Sequence, residues 1–273
     1  MKNCFAVSNI AWDKHDDPEV LALLTRFGVT GIEVAPSKIW PELETLTEKE
    51  VRAYAAMLRD QGFRVPAFQA ILYGHPELQV FDPETHPAFI RRLELVAKLA
   101  NWMGAKVLVF GAPKNRRRRG LAYPEAFGRA AEFFHRAGET VKKYDCVLGI
   151  EANPVEYQCD FVTNTADAEL LVKAADSAGV ALHIDSGATA MTGENIREVL
   201  KARGIPFAHY HISEPMLGNV SGGAADHEAA FRTLKELNYG GAVSIEMKMQ
   251  SPELENLGSA LRYVKEAMKH AAF

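Results

Sequence analysis

The chain has 273 residues, 48% of them hydrophobic and 24% charged, with a formal net charge of −4. A chain of that length buries a large core as one α/β barrel or as two smaller domains, and its acidic balance gives no general attraction to nucleic acid or an anionic membrane. The opening MKNCFAVSNIAW has only a short apolar stretch before Asp13, which does not make a secretory signal. No run of about 18 apolar residues offers a membrane span. Cys4, Cys146 and Cys159 are odd in number, far apart and without CxxC spacing, and they read as reduced thiols of a cytoplasmic protein.

Along the chain, short β-rich runs alternate with longer amphipathic stretches. Cys4–Ser8 is followed by a helical pattern over Pro18–Phe27, Gly31–Ala35 by Thr47–Gln61, and Val65–Ile71 by Pro87–Met103. Lys106–Phe110 then precedes Pro124–Tyr144, Cys146–Glu151 precedes Thr165–Ser177, and Val180–Asp185 precedes Glu194–Ala202. Phe207–Ser213 with His227–Leu237, and Ala242–Met247 with Glu253–Lys269, complete the series. Glycines after the helices, in Phe27-Gly28, Gln61-Gly62, Met103-Gly104, Ala178-Gly179, Arg203-Gly204 and Tyr239-Gly240, predict C-caps where a helix hands over to a parallel strand. Eight such units predict an α/β fold, a single (β/α)8 TIM barrel forming one domain over residues 1–273. An open doubly wound sheet is the alternative, but it usually carries a glycine-rich first loop, and SNIAW here has no GxGxxG. The longest irregular stretches, Tyr73–Thr85 and Gly111–Tyr123, follow strands and would lie on the catalytic face.

Four polar residues close the last four strand candidates: Glu151, Asp185, His211 and Glu246, in VLGIE, VALHID, FAHYHI and AVSIE. In a barrel each comes from its own strand and all reach one rim. Carboxylates ending apolar strands are costly to bury unless paired or metal-bound. A rim salt bridge would explain any one of them, but no matching set of basic residues ends the other strands. Three carboxylates and an imidazole suit Mn²⁺, Mg²⁺ or Co²⁺, with Zn²⁺ admissible, and they bring proton-transfer groups with them. Strand alternation adds His183 and His209 on the same inward phase, either orienting ligands and binding substrate hydroxyls or bonded within the barrel interior. Lys248 shares the phase of Glu246 and would meet a substrate anion or stay solvated.

These pieces carry a resemblance. The series GIE, HID, HISE and SIEMK, with SNIAW, GIEVAPS, LANWMGAKVLVFGAPKNR and DHEAAFRTLKELNYGG, resembles the xylose-isomerase-like TIM-barrel superfamily of sugar phosphate isomerases and epimerases, near its D-tagatose 3-epimerase and hydroxypyruvate isomerase branch. The resemblance implies that Glu151, Asp185, His211 and Glu246 bind one divalent ion and that Glu151 and Glu246 also serve as acid and base. The reaction implied is proton transfer through an enediolate, giving epimerisation or aldose–ketose isomerisation in carbohydrate metabolism. The implied partner is a small polyhydroxylated substrate, with or without an anionic group; a homo-oligomer is implied only by resemblance.

Two positions depart from that branch. Ala188 stands where it has a histidine three residues after the aspartate, and Leu217 where it has an arginine six residues after the histidine ligand. The resemblance therefore extends to the metal site but not to a free-ketose specificity. In GAPKNRRRRG, Lys114 and Arg116 are candidates for a substrate phosphate or carboxylate, while Arg117–Arg119 read as a solvated run. Glu156 and Tyr157, with Trp12, Gln69 and Tyr73, are further pocket candidates that packing explains as well. Asp226 reads as a helix N-cap, with His227 facing the pocket or the fold. Other functions on the same barrel are a lyase of the dehydroshikimate-dehydratase type, an abasic-site endonuclease and a non-catalytic sugar-binding module. The single basic run disfavours the endonuclease, and the intact glutamate pair disfavours the binding module.

Overall fold

The structure, a computed structural model, describes residues 4–201 and 206–273. Eight parallel strands, β1 (Cys4–Ser8), β2 (Gly31–Glu33), β3 (Ala67–Phe68), β4 (Val107–Phe110), β5 (Val147–Glu151), β6 (Val180–Asp185), β7 (Phe207–Ser213) and β8 (Ala242–Glu246), form one sheet in the order β2-β1-β8-β7-β6-β5-β4-β3. Bridges from Gly31 to Arg64 and from Val34 to Phe68 bring its two ends together. There the Val34 amide donates to the Ala67 carbonyl at 3.0 Å and the Gln69 amide to Val34 at 2.9 Å. The (β/α)8 barrel expected from the sequence is the fold observed.

The period of two along each strand sorts its side chains. In β5, Leu148 and Ile150 are fully buried in the main core between barrel and helices, whereas Val147 packs with Ala67, Val107 and Val109 in a separate small cluster. The outer layer is built by helices Asp17–Arg26, Glu48–Asp60, His86–Met103, Tyr123–Lys142, Thr165–Ala175, Ile196–Lys201, His227–Glu236 and Glu253–Ala271. Their starts carry the expected chemistry: Thr47 and Glu50 form a reciprocal capping box, and the Asp226 carboxylate accepts from the Ala229 amide at 2.9 Å.

The expected elements differ from those observed in specific places. β3 spans two residues instead of Val65–Ile71, because Pro66 lacks an amide proton and Ala70 turns left-handed at φ 50°. Two short helices were not expected. Pro36–Ile39 begins on a proline, and Ser186–Met191 is started by the Asp185 side chain, which accepts from the Ala188 amide at 2.5 Å. Gly28, Gly62 and Gly104 are left-handed as C-caps require, but Asp176 and Asn238 take that conformation in place of Gly179 and Gly240. The Arg203-Gly204 turn and the Ala202 helix end lie outside the described residues.

Candidate active site

Parallel register carries the expected ligands to one place. Glu151 pairs with His183, Asp185 with His211, and Ser213 with Glu246, so inward-facing polar groups follow one another around the rim of β5–β8. One ligand atom from each of Glu151, Asp185, His211 and Glu246 lies within 4.8 Å of the others. His211 Nδ1 is 3.1 Å from Glu246 Oε2, 3.7 Å from Asp185 Oδ2 and 3.9 Å from Glu151 Oε1. Asp185 is held from two sides: Ser213 Oγ donates to its Oδ2 at 2.6 Å, and the Ala188 amide donates to its Oδ1. Across from Glu151, a Cβ on Gly111 would stand 2.0 Å from Oε2, so the residue there must be glycine for the carboxylate to keep its place.

Charge in this cluster is out of balance. All three carboxylates are buried, and among the described residues no lysine or arginine forms an ion pair with them. Burial, then Glu246 and Asp185, push the Glu151 carboxyl well above the usual carboxylate range. Burial, then Glu246, push Asp185 up to about 6. Burial opposes a charge on His211, but Glu246 and Glu33 outweigh it and hold the imidazole proton well above the ordinary histidine range. Carboxylates that repel one another around an imidazole nitrogen without a hydrogen-bond partner fit a divalent cation, which the four residues can hold together.

A model of the xylose isomerase-like TIM barrel matches residues 21–267. The chain belongs to that family. Among solved structures, L-ribulose 3-epimerase superposes with a TM-score of 0.77 at 14% identity, over 99% of this chain and 96% of its own. A D-psicose 3-epimerase with D-tagatose, from Clostridium cellulolyticum H10, gives 0.77 at 12% identity over 100% and 98%. IOLI protein with a binding zinc atom gives 0.72 at 17% identity over 98% of each chain. No curated protein matches the chain significantly.

In this xylose isomerase-like barrel a cavity of about 570 Å³ opens from Glu151, Asp185 and Glu246. Its walls come from the segments after β3 and β4, including Gln69–Pro76 and Gly111–Asn115, and from Asn153, Tyr157 and Leu217. Of the substrate-binding candidates, Lys114 lines this cavity and is exposed. Arg116 is outside the lining: it is fully buried, its guanidinium nitrogens have no hydrogen-bond partner, and its charge acts on Glu151. Glu156 and Lys248 are exposed and also outside the lining. His183 and His209 are buried beside the ligand set, with ring centroids 4.2 and 5.2 Å from that of His211. Burial, then His211 and His209, hold His183 well below the ordinary histidine range.

Gln69, Tyr73 and Tyr157 line the cavity. Trp12 does not; its indole donates to Asp17 at 2.7 Å. His227 Nε2 lies 3.0 Å from the buried Glu214 carboxylate, which also accepts from the Gly223, Ala224 and Ala225 amides and so pins the segment after β7. Two residues escape the sequence reading. Asn153 lines the cavity with a buried carbonyl oxygen that has no partner. Glu33, on β2, is fully buried beside His209 and His211. Its signal was present, since GIE ends an apolar run in a carboxylate as VLGIE and AVSIE do.

Proposed function

We propose that the chain is a divalent-metal-dependent isomerase or epimerase of a small sugar or sugar phosphate, with Glu151 and Glu246 as its acid–base pair. The observation that carries this reading is the buried Glu151–Asp185–His211–Glu246 cluster at the end of a substrate-sized cavity. Similarity in fold to sugar epimerases supports it.

Glu151, Asp185, His211 and Glu246 would hold the divalent cation, which would supply Lewis acidity that makes the C–H beside a substrate carbonyl easier to remove. Glu151 and Glu246 come from β5 and β8, with Asp185 and His211 on the strands between them. One glutamate takes the proton from the reacting carbon and leaves an enediolate. The other returns a proton to the opposite face, which inverts that carbon; return to the neighbouring carbon gives isomerisation instead. Tyr157 and Asn153 face the substrate from the wall, and exposed Lys114 meets an anionic end where the substrate has one.

The test is exchange of substrate hydrogen with D₂O, followed by NMR over a panel of ketoses and ketose phosphates with Mn²⁺ present. Glu246→Gln is expected to lower turnover of the substrate so found by at least about 100-fold. Full turnover by that variant would sink the reading.

A further inference from the structure

Glu33 has no part in the acid–base reading, yet it has the most enclosed carboxylate near the site. It is fully buried, and Oε1 and Oε2 lie 2.9 and 3.1 Å from His211 Nε2. His209 Nε2 is 3.2 Å from Oε1. Among the described residues no lysine or arginine pairs with it, so the two imidazoles are its charged-group partners. His211 thus stands between two acidic surroundings: Nε2 faces Glu33, and Nδ1 faces Glu246, Asp185 and Glu151.

A neutral imidazole carries one N–H and one lone pair, and the hydrogen bond made by one nitrogen decides the role of the other. With the Nε2 proton donated to Glu33, the lone pair is left on Nδ1, the nitrogen aimed into the carboxylate cluster. We propose that Glu33 is a positioning residue for the metal centre: it fixes the tautomer and ring plane of His211, and through it the affinity of the site for a divalent cation. This rests on the metal-dependent reading above. Glu33 reaches His211 from across the barrel, since β2 and β7 are separated in the sheet by β1 and β8. β2 shares no ladder with β5–β8, the strands that carry the four ligands. His209 Nε2 sits against the same carboxylate, 3.2 Å from Oε1.

The experiment is Mn²⁺ titration by calorimetry of chelator-stripped protein, comparing the native chain with Glu33→Gln and Glu33→Ala. The visible absorption of the Co²⁺-loaded forms and the melting temperatures before metal addition are read alongside. The Mn²⁺ Kd is expected to rise about 10- to 100-fold in Glu33→Ala. In Glu33→Gln, whose amide oxygen can still accept the Nε2 proton, the rise is smaller. The Co²⁺ bands should shift in both variants. A purely structural buried carboxylate would lower the melting temperature while leaving Kd within about threefold and the Co²⁺ bands unchanged, and that result overturns the proposal. If Glu33→Ala does not fold, Glu33→Gln decides by the same criteria. Failure of the native chain to bind Mn²⁺ would instead remove the metal-dependent reading on which the proposal stands.

Discussion

At the scale of single residues, the candidate site is held in place by groups outside the set of four ligands. Gly111 is the sharpest case, because the atom it lacks would fall within bonding range of Glu151 Oε2. Gly111→Ala must move either the carboxylate or the strand end, so the expected outcome is Mn²⁺ binding weakened about tenfold or more, with proton exchange falling in parallel. Thermal melting of the metal-stripped protein should change much less, because the substitution sits at a cavity wall rather than in the main core. Equal metal affinity in Gly111→Ala and the native chain would show that Glu151 has room to move. Ser213→Ala makes a related case. It removes the 2.6 Å bond to Asp185 Oδ2 and the acceptor of the Gly187 amide at 2.9 Å. Loss of about 1–3 kcal/mol of stability is expected in a denaturant titration, together with weaker metal binding.

At the scale of elements, the two long loops form one structure. Asn115 Nδ2 donates to the carbonyls of His75 at 2.8 Å and Leu78 at 2.7 Å, and the Val80 amide donates back to the Asn115 carbonyl at 2.8 Å. Asn115→Ala leaves two carbonyls without that donor, one of them in a buried bond, and is expected to cost about 1–3 kcal/mol. The cavity walls would loosen together, so KM should rise more than kcat falls, and protease cleavage within 73–85 should speed up. This coupling also shows where the sequence stopped being legible. The strands β5–β8 and their terminal residues were readable because period-two patterning and parallel register are local rules that fix which side chains turn inward. The loop walls follow no such period. In GAPKNRRRRG, Lys114 and Arg116 read alike as candidates for a substrate anion, yet Lys114 lines the cavity while Arg116 is fully buried outside its lining, a difference that no local period marks. Glu33 shows the same strand-ending carboxylate signal as Glu151 and Glu246, but that signal does not reveal that its partners are His209 and His211, which come from β7, across the sheet from β2.

At the scale of the whole molecule, the charge imbalance in the barrel makes stability, metal and pH one linked quantity. The folded-state pKa of Asp185, about 6, lies above its ordinary value of 3.8, and that of Glu151 is raised too. A carboxyl with a raised folded pKa binds protons more tightly in the native state. Its burial therefore destabilises the metal-free protein above the folded pKa, and that cost is relieved as pH falls through about 6 toward the ordinary value. A cation held as proposed would bind the deprotonated carboxylates and a free imidazole lone pair, and so would relieve the same cost from the opposite end of the pH scale. His211 adds to this with the same sign, since its raised proton affinity must also be overcome by the metal. Mn²⁺ at about 100 times its Kd should add about 2.7 kcal/mol at pH 7.5, which for a chain of this size is a melting shift of roughly 5–10 °C. At pH 5, below the folded pKa of Asp185 of about 6, protons compete with the metal for that carboxylate, and the same Mn²⁺ concentration should produce a markedly smaller shift. Differential scanning calorimetry at both pH values, with Mn²⁺ and with chelator, checks the difference. Equal shifts at pH 5 and pH 7.5 would mean that protons and cation do not compete for these side chains, and the metal would then have to be bound elsewhere.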